Sequence, residues 1–298
     1  MIRILLLLRF HAIRFLGRRL PPQVLYRLFA PIARFRAAFK KCPAARPLPA
    51  AIGTGWIIPG TEKSWYHYYM NNTLSFLPER LAAPEWRGRC SFSGLEELLE
   101  VQRRGQPVIL VVAHFGPYYL LRFWLQAAGV RAATMVAGQA NKRSYLNQLK
   151  DRAALFPEIP TVFYSHQLRE VAKFLAAGNA LVIAVDNNSG NQIQVPVAAD
   201  FNFRMATGAL RLAVRHRARL FSCNIIDQGR WRFRVELGDP VPEAFLSDPP
   251  DFISAGKHLL AGMLPCFRAY PEQCPQIVLD SFQPLTTQNI PESSALTA

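Results

Sequence analysis

The chain has 298 residues, half of them apolar, and its 35 Lys and Arg against 20 Asp and Glu give a formal net charge of +15. That apolar content suffices for a substantial core and excludes disorder as the default state. Five cysteines (Cys42, Cys90, Cys223, Cys266, Cys274) at wide irregular spacing exclude a disulfide framework and a zinc site, which needs closely spaced Cys/His pairs, and read as reduced thiols of a cytosolic compartment.

The charge is concentrated at the start. Before Glu62 there is no acidic residue, while Arg3, Arg9, Arg14, Arg18, Arg19, Arg27, Arg34, Arg36, Lys40, Lys41 and Arg46 are all basic. The same stretch is greasy, with the apolar run Ile4 to Leu8 followed by Phe10, Ile13, Phe15, Leu16 and Leu20. Arg9 and Arg14 interrupt it too often for a span of about 20 apolar residues. On a helix Arg3, His11, Arg14 and Arg18 share a narrow arc, and Arg9 would have to snorkel. This pattern predicts a basic amphipathic segment over residues 1–42 lying on an anionic membrane. An Arg-rich, acid-poor start also describes a transit peptide. Cations mixed with so many leucines suit lipid better than a nucleic-acid phosphate groove, so no nucleic-acid partner is expected.

Residues 43–93 begin with a Pro-, Ala- and Gly-rich connection to about Gly60. A helical, strongly aromatic stretch follows from Trp65 to Leu81, whose rings read as packing rather than chemistry. From residue 94 to 282 the pattern is regular. A helix over Leu95 to Gln102 precedes the buried strand Pro107 to Ala113. Helices near Tyr119 to Ala128, Ser144 to Leu155, Gln167 to Ala177 and Ala206 to Arg215 then alternate with strands at Ala132 to Val136, Thr161 to Tyr164, Leu181 to Val185 and Leu220 to Ile226. Such alternation predicts an α/β layer with a central, mostly parallel sheet flanked by helices. Trp231 to Leu237 alternates like a half-exposed edge strand, Phe252 to Phe267 is a final helix, and the residues after Asp280, assigned from 283 to a tail, read as loose.

In an open α/β sheet, ligands bind beyond the carboxyl ends of strands. Two segments put reactive residues there: Ala113-His114-Phe115-Gly116-Pro117-Tyr118-Tyr119 and Val185-Asp186-Asn187-Asn188-Ser189-Gly190. A histidine on a strand-to-helix turn, beside the amides of a helix start, has the makings of a general base next to a site for negative charge. Asp186 also has a plain structural reading, since Asp-Asn-Asn-Ser-Gly is good turn chemistry.

These residues, with the lead-in Gly94-Leu95-Glu96-Glu97-Leu98, the strand Gly105 to Gly116, Thr207-Gly208-Ala209-Leu210-Arg211-Leu212-Ala213 and Tyr270-Pro271-Glu272-Gln273, resemble in order and spacing the lysophospholipid acyltransferase superfamily. Within it they are most similar to the bacterial lipid A late acyltransferases. The resemblance covers about Gly94 to Phe282. It implies transfer of a fatty acyl group from acyl carrier protein or coenzyme A to a hydroxyl of a membrane lipid, at the cytoplasmic face of the inner membrane, with no metal and no organic cofactor. His114 matches the catalytic histidine of the family's His-x4-Asp/Glu motif, and Phe115, Gly116, Tyr118 and Tyr119 would offer backbone donors to the oxyanion.

Where the family carries Asp or Glu, this chain has Tyr119. Disabling the carboxylate partner of a catalytic histidine costs about 10⁴-fold in a serine protease. Three explanations compete: Asp186 provides the carboxylate from a neighbouring strand, Tyr119 or Tyr118 holds the ring, or the chain is a degenerate relative that binds carrier or lipid without turnover. A second departure lies at Met135 to Arg143, where a tyrosine-arginine pair is replaced. There Lys142 and Arg143 are candidates for an acceptor phosphate, with a solvated-loop role as the alternative.

Overall fold

The computed structural model describes residues 2–41, 46–53, 56–57, 61–138, 162–186, 190–198 and 201–284. The expected helix from Ser144 to Leu155, together with Lys142, Arg143 and Cys42, lies outside them. Two helices open the chain, α1 (Ile2–Arg19) and α2 (Pro22–Ala38), followed by the paired β1 (Arg46–Pro47) and β2 (Trp56–Ile57). Next come α3 (Glu62–Leu74), α4 (Pro78–Leu81), α5 (Pro84–Arg87), β3 (Cys90–Ser93), α6 (Leu95–Arg103), β4 (Val108–Val112), α7 (Tyr118–Ala127), β5 (Ala132–Val136) and β6 (Val162–Tyr164). The rest is α8 (Leu168–Ala176), β7 (Ala180–Ala184), β8 (Gln192–Ala198), β9 (Phe201–Ala206), α9 (Gly208–His216), β10 (Arg219–Asp227), β11 (Phe233–Pro240), α10 (Phe252–Ala269), α11 (Gln276–Leu279) and β12 (Phe282–Pro284).

A seven-stranded sheet in the order β3-β11-β10-β4-β7-β5-β6 forms the centre. Its pairs are parallel except β10 with β11. The expected mostly parallel α/β layer is therefore present. Strand β4 is buried along its whole length because both faces are covered, which is why it reads as an unbroken apolar run. Ile109, Val111 and Ala113 pack on one side with residues of α8, α9 and α10. Val108, Leu110 and Val112 pack on the other with residues of α2 to α7.

The segment expected as an edge strand is internal, because β3 pairs with its outer side. At four residues β3 is too short to announce itself in the sequence. The charged residues that suggested an open edge, Arg234 and Glu236, pair with each other at 2.8 Å. A second sheet, β12-β9-β8, is antiparallel and was not foreseen. Its last strand places Phe282 to Pro284 against β9, so the expected loose tail does not begin immediately after Asp280.

Among the described residues no helix is long and apolar enough to cross a membrane. The polar arc expected on α1 faces the protein in part, since Arg14 and Arg18 both reach Glu79 of α4. Gly17 lies against Leu77, with a Cβ built there only 2.3 Å from a leucine methyl. Among the residues whose exposure is described, an apolar face open to solvent runs along α2 and its end, where Val24, Leu28, Ile32, Phe35 and Phe39 recur at helical spacing. Leu25, Ala33 and Ala37 turn the opposite face of α2 inward.

Candidate active site

Strands β10, β4 and β7 are adjacent and parallel, so their carboxyl ends emerge side by side, about 4.8 Å from strand to strand. Asp227 ends β10, His114 follows β4 by two residues, and Asp186 follows β7 by two. The sequence foresaw the second and third of these together.

Nδ1 of His114 donates to Oδ1 of Asp186 at 2.7 Å. The other carboxylate oxygen, Oδ2, accepts from the His114 backbone N–H at 2.9 Å. The Asp186 side chain is fully buried, and the imidazole is about one-quarter exposed. With Nδ1 committed as donor, neutral imidazole carries its lone pair on Nε2. The edge of that ring meets the Tyr118 ring, the centroids 4.5 Å apart. This arrangement can accept a proton at Nε2 and stabilise the imidazolium that results.

Tyr119 takes a different course. Its hydroxyl donates to the Tyr68 carbonyl at 3.3 Å, on α3. Burial pushes its phenol well above the ordinary tyrosine range, with Tyr68, Asp227 and Tyr118 adding to the effect. Phe115 points into the core against Phe267, so only its backbone is available to a ligand. Of the expected amide donors, Gly116 N–H is already engaged by the Gln273 carbonyl at 3.0 Å. No described group accepts from the amides of Phe115 or Tyr119.

Gly116 has a φ of +55°, and a Cβ there would stand 2.3 Å from the Ile225 carbonyl oxygen. Only glycine lets the turn after His114 lie against β10.

A cavity of about 1490 Å³ opens at this edge of the sheet. His114, Tyr118 and Tyr119 line it, together with apolar residues of β4, β5 and β7 and the polar face of α3. That helix, read from its sequence as packing, forms one wall.

A scan of protein-family profiles matches residues 72–242 to the bacterial lipid A biosynthesis acyltransferases. The chain belongs to that family. A search of curated proteins finds no match. As a lipid A biosynthesis acyltransferase family member, the chain is assigned acyl transfer to a lipid acceptor in general. The match spans His114, Asp186 and Asp227, and begins within α3.

Sequence reasoning gave no role here to His67, Asp227 and Gln273. His67 on α3 also lines the cavity, and its Nδ1 donates to Oδ2 of Asp227 at 2.9 Å. The signal was present: Lys63, His67 and Asn71 recur every four residues, and all three line the cavity. The third is Gln273. Its Nε2 donates to the Asp227 carbonyl at 2.9 Å, its Oε1 accepts from the Asp227 N–H at 3.0 Å, and its own carbonyl holds Gly116. It thus ties the end of β10 to the turn that carries His114.

Proposed function

We propose that this chain transfers a fatty acyl group from a thioester, carried by acyl carrier protein or coenzyme A, to a hydroxyl of a membrane lipid, with His114 as general base and Asp186 as its orienting carboxylate. Neutral His114 takes the hydroxyl proton at Nε2 as the acceptor oxygen attacks the thioester carbonyl. The C–S bond then breaks and the thiolate leaves, taking the proton from Nε2 of the imidazolium that Asp186 has balanced. The observation that carries the reading is the 2.7 Å bond from His114 Nδ1 to buried Asp186. It favours the first of the three explanations for Tyr119, because the Tyr119 hydroxyl donates to Tyr68.

The same reading places the protein on the cytoplasmic face of the inner membrane. Support comes from the exposed stripe Val24, Leu28, Ile32, Phe35 and Phe39, with Arg27, Arg34 and Lys40 exposed near it. Apolar side chains flanked by cations suit an anionic bilayer surface.

The test is acyl transfer from radiolabelled acyl carrier protein, and from acyl coenzyme A, to total bacterial lipid extract. Wild type should transfer and His114→Ala should not. Failure of wild type with both donors would refute the enzyme reading and favour a non-catalytic carrier- or lipid-binding protein.

A further inference from the structure

The cavity contains a second histidine–aspartate pair for which the proposed reaction has no use. Asp227 accepts at Oδ2 from His67 Nδ1 (2.9 Å) and Asn71 Nδ2 (2.7 Å), and at Oδ1 from the Gly229 N–H (2.7 Å). Its side chain is only 7% exposed. Three donors converging on one shielded carboxylate fix its orientation and hold the His67 ring with it. Nε2 is left on the other edge of a ring that is about one-third exposed, and no described residue bonds to it.

A ring held through Nδ1 with its other edge toward a cavity has Nε2 to offer a ligand. Here the ring lies in a cavity wall one helical turn from Lys63, on the same face of α3. Lys63 is exposed and no described carboxylate pairs with it. The cavity walls also hold Arg122 and Arg211 against Asp227 and Glu272, and Asp227 is already engaged by its three donors. Cationic groups with one directed ring nitrogen suit an oxyanion.

We infer that His67, positioned by Asp227, forms with Lys63 a phosphate-binding subsite on the α3 wall of the cavity. As imidazolium, Nε2 donates to a phosphate oxygen; as neutral imidazole it accepts from a P–OH group. Lys63 adds a mobile ammonium at the rim. Under the acyl-transfer reading on which this rests, the phosphate has two sources: the headgroup of the lipid acceptor, or the phosphopantetheine arm of the thioester donor.

The discriminating variant is His67→Asn. An asparagine amide reaches about as far as Nδ1, so it retains the bond to Asp227 but has no atom at the Nε2 position. The first readout needs no catalysis: ³¹P line broadening of inorganic phosphate and of 4′-phosphopantetheine by the full-length protein. Wild type should broaden at least one signal. His67→Asn should weaken binding about ten- to hundredfold, as expected for one charge-assisted hydrogen bond, and Lys63→Ala should weaken it less. An unchanged melting temperature in His67→Asn would show that the loss is local. No broadening by wild type, or equal binding by His67→Asn, would overturn the subsite whether or not the protein transfers acyl groups.

Steady-state kinetics then separate the sources. A rise in KM for the lipid acceptor assigns the phosphate to the headgroup, and a rise in KM for the donor assigns it to phosphopantetheine. A collapse of kcat with both KM values unchanged would place His67 in the chemistry and overturn the proposal.

Discussion

Asp186→Asn isolates the carboxylate without removing its volume, and the hydrogen bonds dictate its effect. Both oxygens of Asp186 are in use, Oδ1 by the ring and Oδ2 by the His114 N–H. Asparagine has one oxygen. If that oxygen takes Nδ1–H, the amide NH₂ is driven against the backbone N–H inside a buried site, which costs about 1–3 kcal/mol. If it takes the backbone N–H, the NH₂ faces Nδ1, which must then hold the lone pair, and the hydrogen moves to Nε2 where a base needs none. In either case the imidazolium loses a charge-assisted bond worth about 1.5–3 kcal/mol. Together these penalties amount to about 2.5–6 kcal/mol, or roughly 10²- to 10⁴-fold in kcat. The assay is initial-rate acyl transfer by wild type, His114→Ala, Asp186→Asn and Tyr119→Phe, with thermal melting of each as a fold control. Tyr119→Phe should lose less than tenfold, because it gives up one bond to the Tyr68 carbonyl. If Asp186→Asn stays within tenfold of wild type, or falls less than Tyr119→Phe, Asp186 is not the orienting group.

Gly116→Ala should destabilise the protein by at least about 2 kcal/mol, since it combines a positive φ with a Cβ 2.3 Å from the Ile225 oxygen; an unshifted melting curve would refute the close packing of that turn on β10. Stability should fall in alkali. Burial raises the Cys90, Cys223 and Cys274 thiols above their ordinary value and that of Cys266 to about 12, while Tyr68 and Tyr119 are raised likewise. Above about pH 9 the unfolded chain loses protons that the folded chain retains, so unfolding becomes easier by up to about 1.4 kcal/mol per pH unit for each thiol. That stability is intact below pH 9 and lost progressively toward the folded values, so melting temperatures at pH 7.5, 9 and 10.5 should be high, high and clearly lower. The double variant Ile32→Asp/Phe35→Asp should abolish sedimentation with anionic vesicles at an unchanged melting temperature; wild-type binding by this variant would sink the membrane role of α2.

Legibility in the sequence followed the range of the interactions. Strand β5 lies where its apolar pattern put it, at Ala132 to Val136, and β4, β7 and β10 lie within a residue or two of their expected bounds. Each is long, apolar and flanked by turn residues. The sheet β12-β9-β8 escaped notice because its partners come from Gln192 to Ala206 and from Phe282 to Pro284, so nothing local announces the pairing. Strand β8 is mostly half-buried or exposed, and therefore lacks the apolar run that marked the others. The aromatic density of α3 suggested a core helix, and Tyr69, Met70 and Leu74 are indeed buried. Its other face carries Lys63 and His67 into a cavity whose existence depends on strands that begin some 40 residues later.

Tyr119, at the position where the resemblance implies a carboxylate, shows why a motif is weaker evidence than a geometry. A carboxylate in the first turn of the helix after His114 is one way to put an acceptor near Nδ1, and its absence alone would argue for an inactive relative. What the imidazole requires is an acceptor at hydrogen-bond distance that is itself shielded from water; its position in the chain is immaterial. Parallel neighbours in a sheet supply that from any distance in sequence, because β4 and β7 end side by side although 72 residues separate His114 from Asp186. The same rule generates the second pair, where a carboxylate at the end of β10 meets a histidine 160 residues earlier on α3. With Asp186 on one side of His114 and Asp227 on the other, a carboxylate at position 119 would add a further negative charge beside Asp227, whose influence already reaches the Tyr119 phenol. A neutral side chain there avoids that repulsion while its hydroxyl fastens α7 to α3. On this argument Tyr119→Glu should impair the enzyme rather than improve it, and a gain in transfer rate would show that Asp186 is an incomplete substitute.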